Sequence, residues 1–211
     1  DHDGGESDDV RPAESSSRDR LLESPMIAVG VDPGVTGTAL ALVTPEQILR
    51  VAYVQNKGDG LPEQTKLHML RLLHPAVESF CSSHVDIFVV EGQQNYRKSG
   101  NAKVEGLFDL AQVAGGIASL AIVAGSSDMK VRIPLPAEWK KQVPKDVHHA
   151  RILHRYGIAF SKGGGEDPYC YPSGCAVAAK IKGAAMLNKS DWKHVCDAVG
   201  LAAWGLDMLR R

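Results

Sequence analysis

Four side chains in this sequence stand where an unpaired polar group would be costly: Asp32, Glu91, His194 and Asp197. Asp32 closes the apolar run IAVGVD, and Glu91 closes VDIFVVE. A carboxylate at the tip of a buried strand needs a cation or several donors to offset its desolvation. His194 and Asp197 are three residues apart in SDWKHVCDAVGLAAWGLDML, a segment with helical spacing, so they project from one face. Val195, Cys196, Ala198, Val199 and Leu201 make that helix largely apolar, and both polar groups on it therefore need partners. Three acids and a histidine, carried by two strands and a helix, suit two oxygen-coordinated Mg²⁺ or Mn²⁺ ions about 4 Å apart. Such a pair activates water on one side of a phosphodiester and stabilises the leaving oxygen on the other. The histidine can also orient or deprotonate the attacking water.

The elements that must bring these groups together follow from hydrophobic periodicity. Residues 27–43 read as a strand ending at Asp32, a turn through Pro33, Gly34 and Gly37, and a second strand from Thr38. Ile27, Val29 and Val31 share one face of the first strand, and Ala28, Gly30 and Asp32 the other. A third strand spans 47–55, and a helix over 61–84 has Leu67, Leu70, Leu73 and Val77 on one side. A strand at 85–90 delivers Glu91. There follow an Ala- and Gly-rich helix at 104–124, a strand at 129–135, and a loop holding Trp139 and its lysines. A helix then opens at HHARILHRYG with Asp146 as its cap, and the last helix runs from about 190 to 208 behind Ser190 or Asp191. The expected fold class is α/β, a mixed five-stranded sheet flanked by helices.

At 211 residues and 44% hydrophobic content, the chain can bury one sizeable core. Residues 1–24 are acidic, serine-rich and poor in large apolar groups, and are expected to form a disordered leader. Residues 25–211 are expected to form the single domain, with a Gly- and Pro-broken insert at about 161–190. Residues 1–25 carry eight acids against three arginines, which leaves +4 for residues 26–211 although the whole chain is at −1. Anionic partners are thus allowed but not demanded. Cys81, Cys170, Cys175 and Cys196 lack CxxC spacing and read as free thiols rather than a zinc site. No apolar run is expected to reach the ~18 residues of a membrane span, and no signal peptide is visible.

VDPGVTGTALA with Asp32, VVEGQQ with Glu91, the helix LAQVAGGIA, PAEWK with Lys140, then Lys145, and HVCDAVGLA with His194 and Asp197 occur in consistent order over residues 26–211. Together they resemble a RuvC-type Holliday junction resolvase, and within that family the plant chloroplast resolvases of the monokaryotic chloroplast type. The resemblance implies a ribonuclease H-like fold and a homodimeric, metal-dependent endonuclease that nicks two opposed strands of a four-way DNA junction. It also implies chloroplast residence and a role in recombination and segregation of chloroplast DNA. It places Asp32, Glu91, His194 and Asp197 on the family's metal-binding quartet, two ions per site, with Lys145 as a further catalytic group near the scissile phosphate. An ammonium there would offset charge developing in the transition state. Lys140 falls on a lysine implied to serve the DNA backbone. The aromatic that follows the catalytic glutamate in several bacterial relatives is replaced by Gln93 and Gln94, with Tyr96 further on. The insert has no clear bacterial counterpart and is expected to contact the junction or read bases.

Two basic stretches flank the candidate acids. Arg97, Lys98 and Lys103 follow Glu91, and residues 130–162 carry a local +6 that includes Lys140, Lys141, Arg151 and Lys162. Phosphate backbones bind such patches with strong salt dependence, so these residues are expected to contact DNA. No small-molecule substrate is expected. One site cannot nick two separated strands symmetrically, so a dimer is expected, through Leu107, Leu110 and Ile117 of the Ala- and Gly-rich helix unless these pack in the core. A hairpin with Asp-x-Gly at its turn also opens sugar kinases and actin-like ATPases, which need a second Asp-Gly phosphate loop that this sequence lacks. The remaining alternatives are a nucleic-acid-binding protein of the same fold without catalysis and a nuclease with another substrate, such as RNA–DNA hybrids.

Overall fold

Alternation along the strands decides which helix covers which face. The computed structural model describes residues 25–56, 62–93, 104–141, 143–158, 161–162, 169–170 and 180–209. β1 (Ala28–Asp32), β2 (Gly37–Val43) and β3 (Ile48–Gln55) form an antiparallel meander, and β4 (Ile87–Val90) and β5 (Lys130–Arg132) add in parallel beyond β1. The five-stranded order is β3-β2-β1-β4-β5. This mixed sheet matches the expected fold class.

Val29, Val31, Leu40, Phe88 and Val90 point to one face, where α1 (Pro62–Cys81) and α2 (Val104–Ala124) cover them. Ala28, Ala39, Ala41, Ile87 and Val89 point to the other, against α4 (Lys145–Arg155) and α5 (Lys189–Leu209). Over β1 and its β2 neighbour this second face presents Ala28, Gly30, Ala39 and Ala41, so α5 lies almost on the backbone of β1. A Cβ on Gly30 would collide with the carbonyl oxygen of Ala198, so only glycine admits the helix there.

Several boundaries differ from the sequence reading, each for a local reason. The PAEWK stretch is a helical turn, α3 (Pro136–Trp139), because Glu138 Oε2 accepts the Leu135 N–H at 2.6 Å and Pro136 fits the first turn. α4 begins at Lys145 rather than at the HHAR segment; Pro144 takes the cap position and Asp146 lies inside the first turn. α5 is capped by Asn188 instead of Ser190 or Asp191. Asn188 Oδ1 accepts the Asp191 N–H at 3.0 Å while Asp191 Oδ2 accepts the Asn188 N–H at 3.1 Å. On α1, Leu67 is 63% exposed and Met69 takes the core position instead.

α2 corrects two expectations. Its stretch Gly106–Ala124 is long and apolar enough, at mean hydropathy 1.8, to meet the length and composition of a membrane span. Here Val113, Ala114, Ile117, Ala118 and Ala121 are buried against α1 and the sheet. Ile117 therefore belongs to the core rather than to a subunit interface; Leu107 and Leu110 are half-buried.

Within 161–190, Ser161–Lys162 pairs antiparallel with Tyr169–Cys170, and the Val51 N–H donates to the Lys182 carbonyl at 2.9 Å, tying the segment's end to β3. The leader, Gln94, Tyr96, Arg97, Lys98 and Lys103 lie outside the described residues.

Candidate active site

β1 and β4 are parallel neighbours and end at the same edge of the sheet. Asp32 is the last residue of β1; Glu91 follows β4 directly, its N–H donating to the Val31 carbonyl at 3.0 Å. Both carboxylates are nearly buried. Because Gly30 seats Ala198 of α5 against β1, the residue before it, Asp197, arrives at that edge at 1% exposure, with His194 one turn earlier. His194 Nδ1 meets Asp32 Oδ2 at 2.8 Å, and its ring stacks on Tyr53 of β3 at 5.6 Å between centroids. A cavity of about 580 Å³ is lined by Asp32, Glu91, Lys140, Lys145, His194 and Asp197. Four groups from two strands and a helix thus open on one space, with two lysines beside them.

The helical turn α3 and the start of α4 supply the counter-charges. Lys140 Nζ lies 3.1 Å from Glu91 Oε1 and 3.0 Å from Asp197 Oδ1, bridging the two carboxylates. Trp139 Nε1 donates to Glu91 Oε1 at 3.2 Å, and the Lys140 ammonium also sits 4.4 Å over the Trp139 ring. Lys145 Nζ reaches Asp197 Oδ2 at 2.8 Å, and His149 Nε2 reaches Asp197 Oδ1 at 3.1 Å.

These contacts set two carboxylates apart. Burial pushes Glu91 up to about 7, with the Asp32 and Asp197 charges adding to the rise and Lys140 only partly offsetting it. Burial also opposes ionisation of Asp197, but the His149 hydrogen bond and the Lys140 and Lys145 charges outweigh it and hold this carboxyl well below the usual range. Hydrogen bonding to Asp32 raises His194 against its own desolvation, and burial raises Tyr53.

The donor chemistry fits a hard divalent cation: three carboxylates and an imidazole on one cavity, two of the carboxylates close enough to share one ammonium. As the side chains stand, no three described His, Cys, Asp or Glu residues form a metal-ligating group. Asp32 is turned toward His194, Asp197 is held by Lys145 and His149, and Lys140 occupies the space between Glu91 and Asp197.

The sequence-selected basic residues divide. Lys140 is inside the cluster rather than on an open surface, whereas Lys145 lines the cavity with its side chain 55% exposed. Lys141, at φ 55°, and Arg151 are exposed; Lys162 lies in the short strand pair Ser161–Lys162 with Tyr169–Cys170. Arg155, counted in the basic stretch, is engaged by both oxygens of Asp207 at 3.1 Å. Sequence reasoning missed Tyr53, Trp139 and His149. His149 follows Lys145 by four residues, a signal hidden while the helix was expected to open later; Trp139 needed α3 to be helical.

No protein-family model matches this chain, and no curated protein sequence does either. Solved structures do match. RuvC from T. thermophilus, solved in complex with a Holliday junction substrate, aligns over 88% of this chain and 95% of its own at 17% identity and a TM-score of 0.59. A second Thermus thermophilus RuvC structure aligns over 88% and 96% at 18% identity and a TM-score of 0.57. The fold is that of RuvC. At this identity the RuvC likeness fixes the arrangement of strands and helices.

Proposed function

We propose that this protein is a metal-dependent, structure-selective endonuclease that resolves four-way DNA junctions by paired, opposed nicks. The observation that carries the reading is the convergence of Asp32, Glu91, His194 and Asp197 on one cavity, with Lys140 and Lys145 beside them, on a RuvC-like frame. Asp32, Glu91, Asp197 and His194 would hold Mg²⁺ or Mn²⁺, two ions per site. Such ions supply Lewis acidity at the scissile phosphate and lower the pKa of attacking water. The chain's own groups do the rest. With Nδ1 committed to Asp32, Nε2 is the His194 nitrogen left to accept a proton or a ligand bond. Lys145, ion-paired yet half exposed, is placed to follow charge from Asp197 to a phosphoryl oxygen. A cation beside Glu91 would offset the burial that opposes ionisation of this carboxyl.

Two opposed nicks call for two copies of the site, and a homodimer fits that need. Phe108, Ile122 and Val123 of α2, at 66%, 65% and 84% exposure, offer apolar surface for a second subunit. Chloroplast residence and a role in chloroplast DNA recombination rest on the sequence resemblance alone. The test is incubation of synthetic four-way junctions, plain duplex and RNA–DNA hybrid with the protein and Mg²⁺ or Mn²⁺. Symmetric paired nicks confined to the junction are expected. Cleavage of the hybrid with no junction cutting would replace the resolvase reading with a ribonuclease one.

A further inference from the structure

We propose that His149 is a positioning residue for Asp197, fixing which carboxylate oxygen faces the cavity; this rests on the nuclease reading above. The terminal torsion of an aspartate is soft, so α5 alone sets where the Asp197 carboxyl sits but not how it is turned. Among the described residues three groups reach it, and they differ in kind. Lys140 is a largely buried ammonium shared with Glu91 and seated over the Trp139 ring, whereas Lys145 is a long, flexible ammonium, more than half exposed and able to leave for a phosphate. His149 is fully buried, on the same helix as the core residues Ile152 and Leu153. Its Nε2 lies 3.1 Å from Asp197 Oδ1, and a carboxylate flanked by two ammonium groups at 3.0 and 2.8 Å only accepts, so the ring donates there.

Helix geometry makes the arrangement specific. Lys145 and His149 are one turn apart on α4, so one face of that helix presents a mobile cation to Oδ2 and a fixed donor to Oδ1. When Lys145 swings to substrate, the His149 hydrogen bond remains and keeps the carboxylate from rotating. Outer partners of this kind hold ligand orientation and typically alter metal affinity about 10–100-fold when removed. A histidine retained only to fill the core would be replaceable by a similarly sized apolar group.

The experiment compares the full chain with His149→Gln, His149→Leu and Asp197→Asn by calorimetric titration with Mn²⁺, thermal melting and junction cutting. His149→Leu is expected to weaken Mn²⁺ binding about tenfold or more and slow cutting. His149→Gln, whose amide N–H replaces Nε2–H, is expected to recover binding to within about threefold on the same scale. A folded His149→Leu protein that binds Mn²⁺ and cuts like the wild type overturns the positioning role while leaving the nuclease reading intact. A wild type that neither binds Mn²⁺ nor cuts overturns both. Should His149→Leu not fold, ¹⁵N spectra of the histidine rings decide: the Nε2–H signal of His149 is expected to move in Asp197→Asn, and an unmoved signal overturns the proposal.

Discussion

The two faces of the sheet are built to different rules. On the α1/α2 face, Val29, Val31, Leu40 and Phe88 meet Met69, Leu73, Phe80 and Ile117, large apolar groups filling space between elements held well apart. On the α5 face, Gly30, Ala28, Ala39 and Ala41 oppose Ala198 and Ala202, and the helix lies nearly on the strand backbone. Every candidate acid and its histidine sits at the edge of that second face or beside it. Close approach is what brings a short aspartate side chain on a helix within reach of groups on strand tips; a face packed with leucines would hold Asp197 too far away. The first face is expected to tolerate volume-conserving substitution, while the second fixes positions.

Ways to break that contrast run from chemistry to surface. Asp32→Asn or Asp197→Asn is expected to lower junction cutting by at least about 10³-fold with junction binding largely kept, measured by single-turnover cleavage and gel shift. Unaltered cutting by either variant would remove that carboxylate from the mechanism. Lys145→Ala is expected to slow cleavage by about 10²-fold with a smaller effect on affinity, separable by comparing single-turnover rate with Kd. An effect on affinity alone would make Lys145 a binding residue only. Gly30→Ala forces a methyl into Ala198 and is expected to destabilise the fold by about 1–3 kcal/mol in chemical denaturation, and to displace Asp197 enough to lower activity. A counterpart on the other side of the molecule, Val123→Thr on the open surface of α2, is expected to change monomer stability by less than about 0.5 kcal/mol, while weakening any dimer seen by sedimentation.

Much of the frame was legible from periodicity. β1 and β4 announced themselves as apolar runs closed by an acid, and α5 as an apolar helix carrying His194 and Asp197 on one side. What misled was local chemistry that periodicity does not report. Glu138 reaching back to Leu135 turned an expected loop into α3 and placed Trp139 and Lys140 on Glu91. Starting α4 at Lys145 set Lys145 and His149 in register with one carboxylate. Lys140, counted by charge as a surface contact, is drawn inward because two buried carboxylates share it.

The sequence by itself determined the α/β class, the order of elements and the placing of acids at strand ends, because side-chain alternation and helical spacing are local properties of the chain. Only the tertiary structure decided which partner each acid takes. His194 with Asp32 joins residues distant along the chain across the β1–α5 gap that Gly30 sets, and His149 with Asp197 joins α4 to α5. Desolvation and Coulomb forces then act on distances that no local pattern specifies.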